Sequence, residues 1–116
     1  IPSTHTIVLS GDLNAVDVIA SGDLSSNSDI TLKTNIETLE NPIEKVKKLR
    51  GVRYDRVDIE KNNCIGVIAQ EVEEIYPEFV SENENGIKSV DYSKMVAVLI
   101  EVVKEQQNQI DYLLSK

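Results

Sequence analysis

The most regular pattern of apolar positions lies near the end of the chain. Apolar residues and one glutamine alternate three and four apart at Val96, Leu99, Val103, Gln106, Ile110 and Leu113. This spacing is typical of a coiled-coil seam, and Asp91 can cap a helix over about 91–114. Fewer than three full heptads also fit an amphipathic helix packed on its own domain. Valine at heptad position a and leucine at heptad position d favour a two-stranded coiled coil, so the seam alone does not predict a trimer. Gln106 is the kind of residue that sets register.

Between residues 28 and 90 the pattern changes period repeatedly, which predicts a small α+β domain of short strands and helices before the long last helix. The predicted helices are 42–51, with Asn41 as N-cap, Pro42 at the first position and Gly51 as its end, and 70–76, ended by Pro77. The predicted extended parts are 30–36, 52–59, a buried strand over 64–69 after a polar turn at 61–63, and two strands flanking Asn85-Gly86.

Residues 1–27 differ in composition from the rest, because they contain no Lys, Arg or Glu. The segment 8–13 (VLSGDL) recurs eleven residues later as 19–24 (IASGDL), and the pattern of each copy predicts a strand followed by a turn. Such a segment could bury both faces by winding with identical copies into an intertwined β stalk, although a flexible linker has the same composition. We therefore expect a stalk segment at 1–27 and a separate domain at 28–116. Since the first residue is Ile, we expect a fragment of a longer protein.

The bulk composition excludes several classes of function. Aromatic residues make up only 4%, so a small aliphatic core must hold the fold, and oligomerisation is expected. The net charge of −8 argues against nucleic-acid and anionic-membrane binding. A single cysteine, Cys64, excludes a disulfide framework and a cysteine-based zinc site. The longest apolar run, 95–100, is too short to span a bilayer. We expect no metal and no cofactor.

Few residues could carry chemistry. The only histidine, His5, lies in the stalk-like segment, and the carboxylates of Glu71, Glu73 and Glu74 are read as a solvated helix face. Ser28 and Lys33 could form a nucleophile and general base without histidine, provided that the amine is neutral. On pattern alone, ordinary residue usage explains this pair better. A separation of five residues does not place them on one face of a strand, so a turn or a neighbouring subunit must join them.

The stretch 28–36 (SDITLKTNI) resembles the opening signature of the C-terminal intramolecular chaperone and autoprocessing domains of phage tail spikes, tail fibres and endosialidases. Further matching motifs follow in order at 39–42, Val46, 49–54, 65–72, 76–77 and 90–92, and they end in the terminal helix. The resemblance covers about residues 28–116. A similar domain occurs in a family of eukaryotic membrane-tethered transcription factors, but the repeat in 1–27 favours the phage version.

The resemblance implies a homotrimer, with a trimeric coiled coil, that aligns three upstream stalk chains of the same polypeptide, helps them wind into a β structure and then cuts itself off. It implies a single-turnover serine endopeptidase with a dyad of Ser28 and Lys33. Asp29, Asn35 and Gln70 are possible supporting residues, and many members have Arg where this chain has Thr31. A tail fibre, tail spike or neck appendage would assemble in the host cytoplasm. The stalk would remain in the virion tail and the chaperone would be released.

Two bonds are candidates for the cut. Attack by Ser28 on the carbonyl of Asn27 closes a five-membered ring and shifts the acyl group from nitrogen to oxygen, whereas attack on its own carbonyl needs a smaller, strained ring. The Asn27–Ser28 bond is therefore favoured, and Ser28–Asp29 is kept because some family members are described as cut after the serine. Three alternative functions are a trimerisation module without cleavage, the related domain of a membrane-tethered transcription factor, and a glycan-binding head of the fibre. The last is the least favoured, because aromatic residues that could stack on sugars are scarce.

Overall fold

A computed structural model describes residues 5–116, and these form two units that divide between Ile36 and Glu37. Residues 1–4 of the predicted stalk lie outside the described residues. Residues 5–27 contain neither helix nor strand in the single chain, and their side chains are exposed. Ile7 and Ile19 expose 87% and 91% of their surface. A β stalk wound from several copies cannot form in one chain, so it stays a prediction.

The first unit ends in a short helical turn where the sequence predicts an extended segment. Residues Ile30–Leu32 form a 3₁₀ helix, so the prediction of an extended 30–36 is wrong. The cause is local: the carboxylate of Asp29 accepts hydrogen bonds from Thr31, and the amide of Lys33 donates to the carbonyl of Ile30. These bonds favour a turn over a strand, and the apolar spacing that indicated a strand lies on exposed residues.

The second unit has the predicted α+β character. Its elements, in chain order, are α1 (Pro42–Val46), β1 (Val52–Arg56), β2 (Lys61–Gly66), α2 (Ala69–Ile75), a 3₁₀ turn (Pro77–Phe79), β3 (Val80–Glu82), β4 (Lys88–Val90) and α3 (Ser93–Leu114). The strands form two separate antiparallel pairs, β1 with β2 and β3 with β4. Among residues 5–116, no helix is long and apolar enough to cross a lipid bilayer.

Several predicted boundaries are confirmed. The β3–β4 hairpin turns at Asn85-Gly86, where Gly86 has a φ of 81° that suits glycine. Helix α2 begins one residue before its predicted start at 70 and ends one before its predicted end at 76. Helix α3 covers nearly all of the predicted 91–114, and the Asp91 carboxylate accepts a hydrogen bond from the Ser93 amide at 3.0 Å.

Other predicted boundaries are wrong. Helix α1 ends at Val46 rather than near Gly51, and Asn41, in a left-handed conformation with φ of 52°, makes no side-chain cap bond. The turn between β1 and β2 lies at 57–60, whereas the polar residues 61–63 belong to β2. The predicted buried strand 64–69 is not one, because β2 ends at Gly66 and Ile65 is 71% exposed.

The core of the second unit lies where α2 and the following 3₁₀ turn meet α3. Its buried residues are Val72, Tyr76, Phe79, Val98 and Val102. The rings of Tyr76 and Phe79 stack with centroids 4.6 Å apart. Partly buried aliphatic residues from several elements surround it, but two of the five buried residues are aromatic, so the expected aliphatic core is only partly confirmed. Such a small core is consistent with a domain that gains stability by association.

Candidate functional site

The structure brings Ser28 and Lys33 into direct contact. The Nζ atom of Lys33 donates a hydrogen bond to Oγ of Ser28 at 2.5 Å. The 3₁₀ turn between them reverses the chain, so the two side chains meet although five positions separate them. Of the two ways in which the sequence allows the pair to meet, a turn within one chain is the one observed. No second subunit is needed for the contact itself.

The turn is fixed at both ends by hydrogen bonds. At its start, Oδ1 of Asp29 accepts from the amide of Thr31 at 2.8 Å and from the Thr31 hydroxyl at 2.7 Å. At its end, the amide of Lys33 donates to the carbonyl of Ile30 at 3.1 Å. Ser28 and Lys33 thus stand directly beside the turn, one before its capping residue and one at its closing residue.

The electrostatics of the turn favour an ionised Asp29. Hydrogen bonds from the backbone and then the side chain of Thr31 lower the pKa of the Asp29 carboxyl, because they stabilise its charged form. Both Ser28 and Lys33 are exposed in the single chain. A lysine that acts as a base needs surroundings that disfavour its charge, such as burial or neighbouring cations. The contact between Ser28 and Lys33 is therefore present in the single chain without burial of either side chain.

The other predicted site residues fall in different places. Asn27, beside one candidate bond, is exposed. Asn35 lies just after the turn in a left-handed conformation, with φ of 53°, which asparagine tolerates better than most residues. Gln70 is an exposed residue of α2 in the second unit. The supporting roles of Asn35 and Gln70 stay predictions.

The second candidate surface is the predicted seam of α3. Val98 and Val102 of this helix are buried against their own domain. The apolar seam residues Val96, Leu99, Val103, Ile110 and Leu113 have exposures of 59%, 51%, 63%, 48% and 65%. The seam is therefore a different face from the one that packs on the domain, which argues against the simple amphipathic-helix interpretation. The role of this exposed apolar stripe as a coiled-coil contact stays a prediction.

Motifs that the sequence places far apart meet in the second unit. Arg50 holds Glu71 through a two-pronged ion pair, with Nε–Oε1 and Nη2–Oε2 distances of 2.9 Å. The Tyr92 hydroxyl accepts a hydrogen bond from the amide of Val67 at 3.2 Å. Gly66 leaves room for this hydroxyl, since a side chain at that position would overlap it. Segments 49–54, 65–72 and 90–92 of the resemblance therefore have a shared structural role.

The carboxylates of α2 are only in part the solvated face that the sequence suggests. Glu71 pairs with Arg50, and Glu73 forms an ion pair with Lys88 of β4, while Glu74 is exposed. The partners lie 21 and 15 positions away, and no local pattern points to them. Within residues 5–116, no three His, Cys, Asp or Glu side chains group in a way that could hold a metal ion.

Comparison with known proteins identifies the class of domain. Residues 28–81 match the sequence profile of a peptidase family described as chaperone of endosialidase, and the match begins at Ser28. Over residues 28–81 this match confirms the resemblance found in the sequence.

The similar curated proteins are phage tail fibre components. The chain is 35% identical over 114 residues to long tail fiber protein Gp37 of Enterobacteria phage K3, which covers 91% of this chain and 9% of the relative. The same protein of Enterobacteria phage T2 is 35% identical, with 91% of this chain and 8% of the relative covered. That of Enterobacteria phage M1 is 34% identical over 100 residues, 78% of this chain and 40% of the relative. The chain thus spans less than half the length of each.

Proposed function

We propose that this chain is the intramolecular chaperone of a phage tail fibre. It trimerises, sets three stalk chains in register and then releases itself by one cut at the 27/28 or 28/29 boundary. The observation that carries the proposal is the 2.5 Å hydrogen bond between Lys33 Nζ and Ser28 Oγ, at the first residue of the family match. The tail fibre relatives support the setting.

Cleavage requires the hydrogen bond between Ser28 and Lys33 in the opposite direction, with Ser28 as the donor. When the lysine amine is neutral, the Ser28 hydroxyl donates to Nζ, and the amine takes the proton as the oxygen attacks. At the Asn27–Ser28 bond, Ser28 Oγ bonds to the Asn27 carbonyl carbon, and the C–N bond breaks. Lys33 returns the proton to the departing amine, which becomes the free amino group of Ser28. Water then hydrolyses the ester and regenerates the hydroxyl.

The alternative bond leads to a different nucleophile. At Ser28–Asp29, direct attack by Ser28 on its own carbonyl closes a strained four-atom ring. A cut there therefore implies an attacking water. Hydroxylamine separates the two routes, because it traps an ester on Asn27 as a hydroxamate and finds no such ester in the water route.

Assembly supplies what the single chain lacks. The exposed apolar stripe of α3 gives three copies a surface to share, and Gln106 within it is suited to setting their register. Because Ser28 and Lys33 are exposed in one chain, we propose that packing of neighbouring copies buries the amine and favours its neutral form. Cleavage then follows assembly, and loss of the chaperone makes the winding of the stalk hard to reverse.

The same exposure favours a second function, a registration module that does not cut. In this version trimers form through α3, while Lys33 stays exposed and Ser28 stays unreactive. The two functions make opposite predictions for the mass of the chain after long incubation, so one experiment separates them.

The experiment follows the intact mass of the freshly purified chain with time. We expect fragments that end at Asn27 or Ser28 in the parent and none in Ser28→Ala or Lys33→Ala. Lys33→Arg also stops the cut, because a guanidinium keeps its charge and cannot act as a base. The matched controls Ser26→Ala and Lys48→Ala alter exposed residues and cleave like the parent.

Two outcomes would decide against the proposal. A single uncut mass in the parent, with trimers present by sedimentation, leaves only the registration module. Cleavage that persists in Ser28→Ala or Lys33→Ala removes that residue from the mechanism. The coupling to assembly has its own test: the cleavage rate, measured by dilution to concentrations where chains are monomeric, should fall with the trimer fraction. A rate independent of concentration contradicts the coupling.

A further inference from the structure

The turn between Ser28 and Lys33 has no packing to support it in the single chain. Its three residues are all exposed, with Ile30 at 73% and Leu32 at 68%. A 3₁₀ helix of one turn is marginal in water without tertiary contacts. Hydrogen bonds must therefore supply its stability, and the side-chain bonds among them come from Asp29.

We propose that Asp29 and Thr31 are positioning residues for the proposed cleavage: their mutual hydrogen bonds hold the turn that presents Lys33 Nζ to Ser28 Oγ. This inference rests on the proposed function. One carboxylate oxygen, Asp29 Oδ1, receives two donors from Thr31, the amide at 2.8 Å and the hydroxyl at 2.7 Å. Neither residue touches the reacting pair through these bonds, so both act through the backbone.

The backbone connects the cap to the dyad in two steps. The carbonyl of Asp29 accepts from the amide of Leu32 at 3.0 Å, and the carbonyl of Ile30 accepts from the amide of Lys33 at 3.1 Å. Thus the cap fixes the first residues of the turn, and the turn fixes the backbone of Lys33. If the turn opens into a strand, residues 28 and 33 point to opposite faces, and the contact is lost.

Thr31 contributes a second hydrogen bond to Asp29 through its hydroxyl, a side-chain donor that valine lacks. Thr31 also lies outside both candidate bonds, whereas a change at Asp29 alters a residue that flanks Ser28–Asp29. A substitution at Thr31 therefore tests positioning without altering the residues on either side of a possible cut. Valine has nearly the shape of threonine and removes the hydroxyl, while serine keeps it.

The test compares cleavage rates of the full chain and its variants by intact mass. We expect Thr31→Val to cleave about fivefold more slowly, because it loses the hydroxyl bond to the charged Asp29 carboxylate while the amide bond remains. Thr31→Ser should restore the rate to within about twofold, because its hydroxyl makes the same bond. The matched control Thr38→Val removes an exposed hydroxyl outside the turn and should cleave like the parent. Thr31→Val at the parent rate, or Thr31→Ser as slow as Thr31→Val, overturns the proposal.

A second readout does not depend on cleavage. In the non-cleaving Ser28→Ala chain, amide hydrogen exchange of Thr31 should be slowed, and Asp29→Ala should remove this protection. Fast exchange of the Thr31 amide in Ser28→Ala shows that the cap does not form, which overturns the positioning role while any observed cleavage stands. If the Thr31 amide exchanges slowly but the parent chain never cleaves, the proposed self-cleavage is wrong, and so is the positioning role that depends on it.

Discussion

Two adjacent valines of α3 give a direct test of its two faces. Val102 is 8% exposed and packs in the core, while Val103 is 63% exposed and belongs to the predicted seam. The same substitution, valine to alanine, at each position changes helix propensity equally. Any difference between the two variants therefore reports on the environment of the side chain. The chain should carry Ser28→Ala throughout, so that it stays intact.

The expected magnitudes differ by state. Val102→Ala removes about two buried carbons at about 0.8 kcal/mol each and leaves a small cavity, so the free energy of unfolding should fall by about 2 kcal/mol. Val103→Ala removes a side chain that is only about a third buried, and the loss of about 0.5 kcal/mol is offset in the monomer by the better helix propensity of alanine. In a trimer each seam valine loses about 1 kcal/mol more, or about 3 kcal/mol for three copies, which is about a hundredfold in the association constant.

The assay combines sedimentation equilibrium with urea unfolding at low concentration, where the monomer dominates. We expect Val103→Ala to weaken association and to leave monomer unfolding nearly unchanged. Val102→Ala should lower monomer stability. If Val103→Ala leaves association unchanged, or destabilises the monomer as much as Val102→Ala, the seam is not an assembly face.

Three further predictions concern the second unit. Gly66→Ala should destabilise the fold by about 1 kcal/mol, because the new methyl group displaces the Tyr92 hydroxyl from its hydrogen bond with the Val67 amide. Measured by urea unfolding in a Tyr92→Phe background, the same substitution should cost less, and an equal cost would contradict this explanation. Tyr76→Phe should stabilise by about 1 kcal/mol in thermal unfolding, because within residues 5–116 the buried Tyr76 hydroxyl finds no hydrogen-bond partner; destabilisation would show that it has one. The hydrogen bonds from Arg50 hold the pKa of the Glu71 carboxyl below its ordinary value, so the ion pair stabilises the fold above the unfolded pKa, and this stability is lost as pH falls through the folded pKa. In a plot of unfolding free energy against pH, Glu71→Gln should therefore show a smaller decrease at acid pH than the parent. An equal decrease would refute the assignment.

Periodic patterns over long segments predicted the fold best. The period of α3 predicted the helix, because six positions within residues 96–113 repeat one spacing. The hairpin was equally readable, since Asn85-Gly86 supplies the positive φ that its turn requires. In both cases the information is local, and nothing distant in the chain had to be known.

Pairing between elements explains where prediction failed. The polar residues 61–63 look like a turn, yet Lys61 pairs with Arg56 across β1 and β2, and the Asn63 amide donates to the Asp55 carboxylate at 2.9 Å. A partner strand thus overrides local turn preference. Likewise, the ion pair of Arg50 with Glu71 depends on the packing of α2 and has no signal in either segment alone.

The candidate site shows both situations within a few residues. Ser28 and Lys33 could be chosen from sequence as a pair, but the apolar spacing of Ile30 and Leu32 indicated a strand in which they would not meet. The signal for a turn was present in Asp29 and Thr31, since Asp followed two positions later by a donor is typical of a side-chain-capped turn. Because these apolar residues are exposed in the single chain, the capping bonds outweigh the alternation.

This local origin of the contact changes how cleavage would be coupled to assembly. If a neighbouring subunit had to deliver Lys33 to Ser28, assembly would create the dyad. The turn already makes the contact within one chain, while leaving both side chains exposed. Assembly would then act on the proton rather than on the geometry, since burial is what favours a neutral amine. On this reasoning, a substitution that weakens association, such as Val103→Ala, should slow cleavage without disturbing the hydrogen bond between Lys33 and Ser28. An unchanged cleavage rate in a Val103→Ala chain that has become monomeric would contradict this coupling.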